Sequence, residues 1–266
     1  MIRDITLGQY YSVDSPIHRG DPRIKILSVV MYIAALFIVE NFIGFVMAAA
    51  ALGLAVAVSK VPIGFIMRGL KPIIFILIFT FSINIFMING RVLWKLGFLE
   101  VTDNGLYTAA FMSVRLILLI IGTSLLTFTT TPIKLTDGME RLLYPLSKIG
   151  VPTHEIAMMM SISLRFIPTL MEETDKIIKA QQARGADFES GNLIARAKSL
   201  VPILVPLFVS AFRIALDLAM AMEARCYSGG KNRTRMNGMK INSGDLIFMA
   251  ANILFFAATI TLRIWR

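Results

Sequence analysis

The chain has 266 residues, of which 56% are hydrophobic, and it carries a formal net charge of +10. Soluble domains contain about 45–50% apolar residues, so the excess predicts a surface that faces lipid. A charged side chain costs about 2.5–3.5 kcal/mol at the centre of a membrane helix, so the charged residues must lie mostly outside the hydrocarbon. The basic excess therefore favours a membrane surface or an acidic partner over nucleic acid.

The apolar sequence falls into five long runs. The polar segment that precedes them lacks the apolar core of a cleavable signal peptide, so none is predicted. Each run approaches the roughly 17–25 residues that a helix needs to cross a bilayer. We therefore predict five transmembrane helices, at Ile24–Val39, Phe42–Val58, Pro72–Ile88, Leu106–Phe128 and Leu246–Leu262.

The short loops predict the orientation of these helices. Basic residues flank the first helix on its N-terminal side and fill the loop between the second and third, whereas the loop between the first and second has none. The positive-inside rule then places the N-terminus in the cytoplasm and, after five crossings, the C-terminus outside. Arg263 and Arg266 near the C-terminus run against that bias.

The segment 131–243 is more polar than the rest and is predicted to be a cytoplasmic domain of three amphipathic helices. Thr131–Gly150 has Pro132 at its start and Gly150 at its end, both usual at helix boundaries. Val151–Gly185 has helical spacing of apolar residues, with a kink expected at Pro168. The predicted organisation is thus 1–130, 131–243 and 244–266.

The third helix of this domain, Gly191–Tyr227, admits two interpretations. Its uninterrupted apolar core, Leu200–Phe212, is too short to cross a bilayer, which favours a helix that is buried or lies at the interface. A transmembrane helix over Leu200–Met222, with Arg213 and Asp217 paired, is the alternative.

Two of these helices end in the same short pattern, Ala-x-x-Ala-Arg followed by a small residue. For a single copy the simple explanation is helix capping, because arginine suits a helix C-terminus and glycine often ends a helix. Two copies about forty positions apart favour a second interpretation, in which each tip offers an arginine to a carboxylate in a partner's cleft. The candidate docking residues are Ala183, Arg184, Gly185, Ala224, Arg225 and Cys226.

These residues carry a family resemblance. The stretches "DSPIHRGDPRIKIL", "TDGMERLLYPLSKIGVP", "SLRFIPTLMEETDKIIKAQQARG" and "AMEARCYSGGKNRTRM" resemble, in order, the transmembrane T component of energy-coupling factor transporters. The second arginine motif departs from the family's plain form, because Cys226 stands where glycine is usual.

The resemblance implies a coupling subunit that performs no catalysis. Such a subunit joins two cytoplasmic ABC-type ATPases to a substrate-binding membrane protein, the S component, for uptake of a vitamin or metal ion. Arg184 and Arg225 match the arginines that dock into the ATPases, and ATP would be bound by those partners, with no cofactor on this chain. The lipid bilayer is the remaining expected partner, and nucleic acid is not expected.

Methionines on the long helices suggest a second partner surface. Methionine is flexible and polarizable, so a methionine-rich face can repack against several S components, although ordinary core or lipid packing explains any single one equally well. The candidate residues for facing the S component are Met158, Met159, Met160, Met220 and Met222.

Two further basic features have open roles. Arg115 inside the fourth predicted helix either faces a cavity or partner or extends its charge toward the nearer membrane surface. A basic run before the last helix, formed by Lys231, Arg233 and Arg235, is expected to contact lipid headgroups.

Two rival functions fit the sequence less well. A stand-alone secondary transporter should show an inverted repeat and a polar site near the midplane, and neither is evident. A membrane-embedded enzyme would need clustered histidines or carboxylates, whereas the chain has two distant histidines, His18 and His154, and one cysteine. No phosphate-binding Gly-x-x-x-x-Gly-Lys-[Ser/Thr] loop, H-E-x-x-H motif or Gly-x-Ser-x-Gly elbow occurs either.

Overall fold

The computed structural model describes residues 10–88, 90–96, 99–186, 188, 192, 194, 198–229 and 241–264. Its contacts divide the chain into two compact units. The first unit comprises Gly8–Arg141 and Gly238–Arg266, and the second comprises Leu142–Asn237.

The first unit is built from helices and one short hairpin. Strands β1 (Val92–Leu96) and β2 (Leu99–Thr102) pair antiparallel. A 3₁₀ turn, Lys71–Ile73, lies before them in the chain. The helices are α1 (Pro16–Arg19), α2 (Pro22–Ile38), α3 (Phe42–Ser59), α4 (Ile63–Leu70), α5 (Ile74–Met87), α6 (Asp103–Thr129), α7 (Pro132–Leu143, whose last two residues belong to the second unit) and α10 (Ser243–Ile264).

The second unit holds the two longest described helices of the middle segment, α8 (Thr153–Ala183) and α9 (Val201–Ala224), which pack against each other. A 3₁₀ segment, Tyr144–Ile149, precedes α8 and ends at Gly150. Gly150 has a φ of +91°, the left-handed conformation that glycine often adopts at the C-terminus of a helix. Pro168 lies inside α8, which continues through it as one helix.

Close packing of α2, α3 and α6 forms the core of the first unit. Its buried side chains include Leu36, Phe45 and Leu118. Gly122 on α6 lets the Tyr32 ring approach closely, since a Cβ there would lie 2.6 Å from Cε1 of that ring. Glycine at this position therefore sets the distance between α2 and α6.

Contacts at both ends of α2 show how it runs beside α10. At one end the Asp21 backbone N–H donates to Oδ1 of Asp245 at 2.9 Å. At the other end Arg263 and Glu40 form an ion pair at 3.3 Å, which gives the unexpected C-terminal arginine a partner. The segment from Asp21 to Glu40 therefore crosses the same thickness of the unit as α10.

The fold class is confirmed as all-α and membrane-spanning, with the β hairpin as an unpredicted addition. The described residues include five helices long and apolar enough to cross a membrane. Four of them coincide with predicted transmembrane helices. The one predicted at Pro72–Ile88 is longer than expected, because the apolar helical stretch begins at Ile63.

The fifth candidate differs from the prediction. It is α9, which has 24 residues, so the expectation that this segment is too short to cross a bilayer was wrong. The expectation counted only the uninterrupted apolar core up to Phe212, whereas the whole helix is apolar enough even with Arg213 and Asp217 in it. Helix α2 has 17 residues, about 25 Å at 1.5 Å per residue, and so lies at the lower limit for a span. The interfacial position of α9 stays a prediction.

Candidate functional site

The two arginine motifs fold into the same local structure. Ala183 and Ala224 are the last residues of α8 and α9, and Arg184 and Arg225 are the C-cap residues. The next residues, Gly185 and Cys226, both adopt the left-handed conformation, with φ of +86° and +55°.

The hydrogen bonds at these two endings also match. The Gly185 N–H donates to the Gln182 carbonyl at 2.9 Å, and the Ala186 N–H donates to the Gln181 carbonyl at 3.0 Å. The corresponding bonds at the end of α9 are Cys226 to Glu223 at 2.8 Å and Tyr227 to Met222 at 3.0 Å. Both pairs form the Schellman pattern, which satisfies the last carbonyls of a helix.

Cys226 occupies a position that favours glycine. A side chain in the left-handed region costs about 1–2 kcal/mol because its Cβ crowds the following carbonyl oxygen. The second motif therefore keeps the shape of the first at a local energetic cost. The sequence alone showed the departure from glycine but not the conformation that makes it costly.

Both arginines are exposed and unpaired. Within the part of the chain that the structure describes, neither guanidinium makes a hydrogen bond or an ion pair. Five donors in a planar fork are therefore free to bind a carboxylate on another protein. Helix capping explains the backbone of each motif, but it does not use either arginine side chain.

The two arginines lie far apart. Gln181 near the end of α8 donates through Nε2 to the Pro202 carbonyl at the start of α9, at 3.4 Å. Arg225 lies at the far end of α9, about 35 Å from Pro202 at 1.5 Å per residue. The second unit thus presents two separate arginine tips instead of one paired site.

The predicted methionine face is partly exposed. Met159, Met160 and Met220 have 55%, 38% and 59% of their surface accessible, whereas Met158 and Met222 are half-buried. A stripe of exposed apolar residues at helical spacing runs along α9, comprising Val201, Leu204, Val205, Phe208, Val209, Phe212 and Leu216. An apolar face of this length needs lipid or a partner to cover it.

A buried polar cluster in the first unit was missed by the sequence reasoning. We call it the polar junction, since it joins the start of α2, the end of α6 and the start of α10. The Lys25 ammonium, 5% exposed, donates to the Thr129 carbonyl at 3.1 Å and to the Thr130 hydroxyl at 3.2 Å. The Asp245 carboxylate accepts the Asp21 N–H and, at 3.0 Å, the Asn242 N–H.

The same junction orders the segment before α2. Ser15 and Asp21 each cap a helix that starts with proline, a pattern typical of helix N-termini that the sequence already displayed. Asp21 also accepts a hydrogen bond from Nε of Arg23 at 3.0 Å. Burial alone would raise the pKa of Asp21, but its hydrogen bonds from Arg23 outweigh that effect and lower the pKa.

His18 in this segment is buried, and both of its ring nitrogens lie within hydrogen-bond distance of a partner. Its Nε2 lies 3.0 Å from the Tyr11 carbonyl, and its Nδ1 lies 2.7 Å from the Ser15 hydroxyl. Both contacts are satisfied if Nε2–H donates and Nδ1 accepts. Burial lowers the pKa of His18 from its ordinary value.

Arg115 has a structural partner. Its guanidinium donates to the Val39 carbonyl at the end of α2 at 2.8 Å, and it lies 5.2 Å from the centre of the Phe111 ring. A positive charge at a helix C-terminus is favoured by the helix dipole, and the ring adds a cation–π contact.

The basic run Lys231, Arg233 and Arg235 lies outside the described residues.

Comparison with known proteins places the chain in a family. Residues 14–236 match the family model CbiQ, described as "Cobalt transport protein". The chain belongs to this family.

Three relatives illustrate the match, each called "Energy-coupling factor transporter transmembrane protein EcfT". The protein from Clostridium kluyveri is 58% identical over 100% of this chain and 99% of its own length. That from Thermosediminibacter oceani is 54% identical over 99% of this chain and 100% of its own. That from Bacillus subtilis is 48% identical over 97% of this chain and 100% of its own.

Proposed function

We propose that this chain is the transmembrane T component of an energy-coupling factor transporter. In this role it links two ABC-type ATPases to a substrate-binding S component for uptake of a vitamin or another micronutrient. The observation that carries the proposal is the repeated helix ending, which leaves Arg184 and Arg225 exposed and without partners in the described structure. The names of its full-length relatives support it.

The separation of the arginines supports a pair of partner sites. Arg225 lies about 35 Å along α9 from the residue that contacts the end of α8, and tips separated in this way suit two clefts, one on each ATPase, better than a single groove. In this proposal ATP is bound and hydrolysed by the ATPases, and their closing moves α8 and α9. The second unit then lies on the cytoplasmic side, as does the N-terminus.

The exposed faces of α8 and α9 support the proposed contact with the S component. Their apolar surface, with Met159, Met160 and Met220, is available to contact an S component in the membrane. The identity of the transported substrate is then a property of the S component.

Reconstituted transport tests the proposal. The chain would be coexpressed with its ATPases and an S component, and ATP-dependent substrate uptake into liposomes measured for Arg184→Ala, Arg225→Ala and the double variant. Losing a buried, hydrogen-bonded charge contact with a partner costs about 2–5 kcal/mol, so we expect the double variant to lose uptake or ATPase copurification.

Arg165→Ala and Arg213→Ala provide matched controls, because these exposed arginines lie within α8 and α9 instead of at their ends. The controls should retain both uptake and assembly. Full uptake by an assembled double variant would show that the motifs are helix endings alone.

A further inference from the structure

A groove in the first unit runs from its polar end into its apolar interior. The polar part has a volume of about 660 Å³ and the apolar part about 390 Å³, and the two share Ile17, Lys25, Val58, Phe248 and Ala251 along their walls. Both volumes lie within the range of cavities that bind small molecules, about 300–1,000 Å³. Helices α2, α3 and α10 line the groove from end to end.

The depth of the groove matches one leaflet of a bilayer. Along α10 it extends from Asp245 to Phe255, which is about 15 Å at 1.5 Å per residue, or half of a hydrocarbon core about 30 Å thick. Tyr32 and Phe255 line its inner end and stack with their ring centres 6.1 Å apart. A transmembrane helix of a partner would need a surface that continues through both leaflets.

The polar end of the groove has a free cation. Asp14 and Arg19 pair with each other, and Asp245 is occupied by two backbone N–H groups. Lys60, at the end of α3, also lines this part. Its ammonium attracts the Asp14 carboxylate, but no hydrogen bond or ion pair engages the ammonium among the described residues. The groove therefore combines an unpaired positive charge at its mouth with an apolar channel one leaflet deep.

The side of the groove is accessible to lipid. Leu54 and Val58 on its α3 wall are 68% and 46% exposed, and Ile247 on its α10 wall is 72% exposed. Small side chains such as Ala51, Ala55 and Ala251 leave room between the helices. A chain that enters sideways from the bilayer would meet no polar barrier.

From these features we propose that the groove binds one anionic phospholipid. The phosphate-bearing headgroup lies against Lys60, and one acyl chain follows α10 to the Tyr32–Phe255 pair. The bound lipid fills the space between α2, α3 and α10 next to the polar junction. Each basic residue near an anionic lipid surface contributes about 1 kcal/mol, so Lys60 selects for negative headgroups.

Native mass spectrometry of the full-length chain in detergent tests this site. The protein would be titrated with phosphatidylglycerol, which is anionic, or phosphatidylcholine, which is zwitterionic. We expect a one-to-one adduct with phosphatidylglycerol, and Lys60→Glu should weaken it at least about fivefold, the factor that corresponds to 1 kcal/mol. Lys71→Glu changes an exposed lysine outside the groove and should leave it unchanged.

A second pair of variants tests the apolar channel. Ala251→Trp should fill it and abolish the adduct with either lipid, whereas Ala250→Trp alters the neighbouring exposed alanine outside the groove and should not. Equal binding of both lipids with no effect of Lys60→Glu would overturn the proposal. Retention of the adduct by Ala251→Trp would overturn it as well.

Discussion

The two units of this chain use charged residues in opposite ways. In the first, Lys25 and Asp245 are buried at helix ends and bonded to backbone and hydroxyl groups of the same unit. In the second, Arg184 and Arg225 also stand at helix ends, but their side chains are exposed and unpaired in the described structure. The first arrangement stabilises a fold, and the second leaves charge available for another protein.

This difference predicts where substitutions act, and Asp245→Ala should have the largest effect. It leaves the buried N–H of Asp21 and the partly buried N–H of Asn242 without their acceptor. The loss at Asp21 alone should cost about 1–3 kcal/mol of folding free energy. Thermal unfolding of the purified chain in detergent measures the change. Arg225→Ala is the matched control and should change the free energy of unfolding by less than about 0.5 kcal/mol. Equal losses from both would remove the distinction between the units.

Packing in the first unit is tested by two glycines inside helices. Gly122→Ala forces a methyl group into the Tyr32 ring, and overpacking of this kind costs about 1–3 kcal/mol. Gly53→Ala adds the same methyl group where no atom lies within 4 Å, so it should be neutral or stabilise by up to about 1 kcal/mol. The same thermal unfolding assay compares the two. If Gly122→Ala is no more destabilising than Gly53→Ala, α2 and α6 are not in the close contact described.

The endings of α8 and α9 predict effects of opposite sign. Gly185→Ala places a Cβ at a left-handed position and should destabilise by about 1 kcal/mol, even though no neighbouring atom would clash with it. Cys226→Gly removes such a Cβ and should stabilise by a similar amount. Chemical denaturation of the chain in detergent gives both values. If the two substitutions shift stability in the same direction, the endings do not share one conformation.

The smallest effect concerns pH. Folding lowers the pKa of His18, so between its folded value and its ordinary value of 6.5 the unfolded chain binds more protons. The stabilisation is present above pH 6.5 and is lost as the pH falls through the folded pKa. The melting temperature of the wild type should therefore drop more between pH 7.5 and pH 5.5 than that of His18→Gln. An identical pH dependence would show that folding does not lower the pKa of His18.

Local features of the fold were predictable, and distant contacts were not. Four apolar runs gave transmembrane helices to within a few residues at most ends, and Gly150 and Gly185 marked helix stops, because length, hydropathy and glycine act locally. The polar junction joins Asp21 to Asp245 and Lys25 to Thr129, and no local pattern shows which distant residues will meet. The helix of α9 was expected as far as Tyr227, but only its uninterrupted apolar core, Leu200–Phe212, was counted toward a membrane span.

The candidate site, too, has local features that were predictable from the sequence and others that were not. The repeated Ala-x-x-Ala-Arg pattern located both arginine tips, and the family resemblance supplied a role for them. The left-handed backbone at Cys226 and the distance between the tips required the structure. The lipid groove was not predictable, because its walls come from helices that are far apart in sequence.

The central claim, that the two arginine endings dock on two ATPases, is tested most directly by cross-linking from within the motifs. Cys226 is exposed and is the single cysteine of the chain, so a short photo-crosslinker can be attached there. The pair Gly185→Cys and Cys226→Gly moves the thiol to the corresponding position of the other motif. Ala215→Cys with Cys226→Gly places it on the exposed surface of α9 as a control. In an assembled complex with two distinguishable ATPases, the two motif positions should cross-link to different ATPase subunits, and the control to neither. Absence of ATPase adducts from both motifs in an assembled, transporting complex would contradict the account.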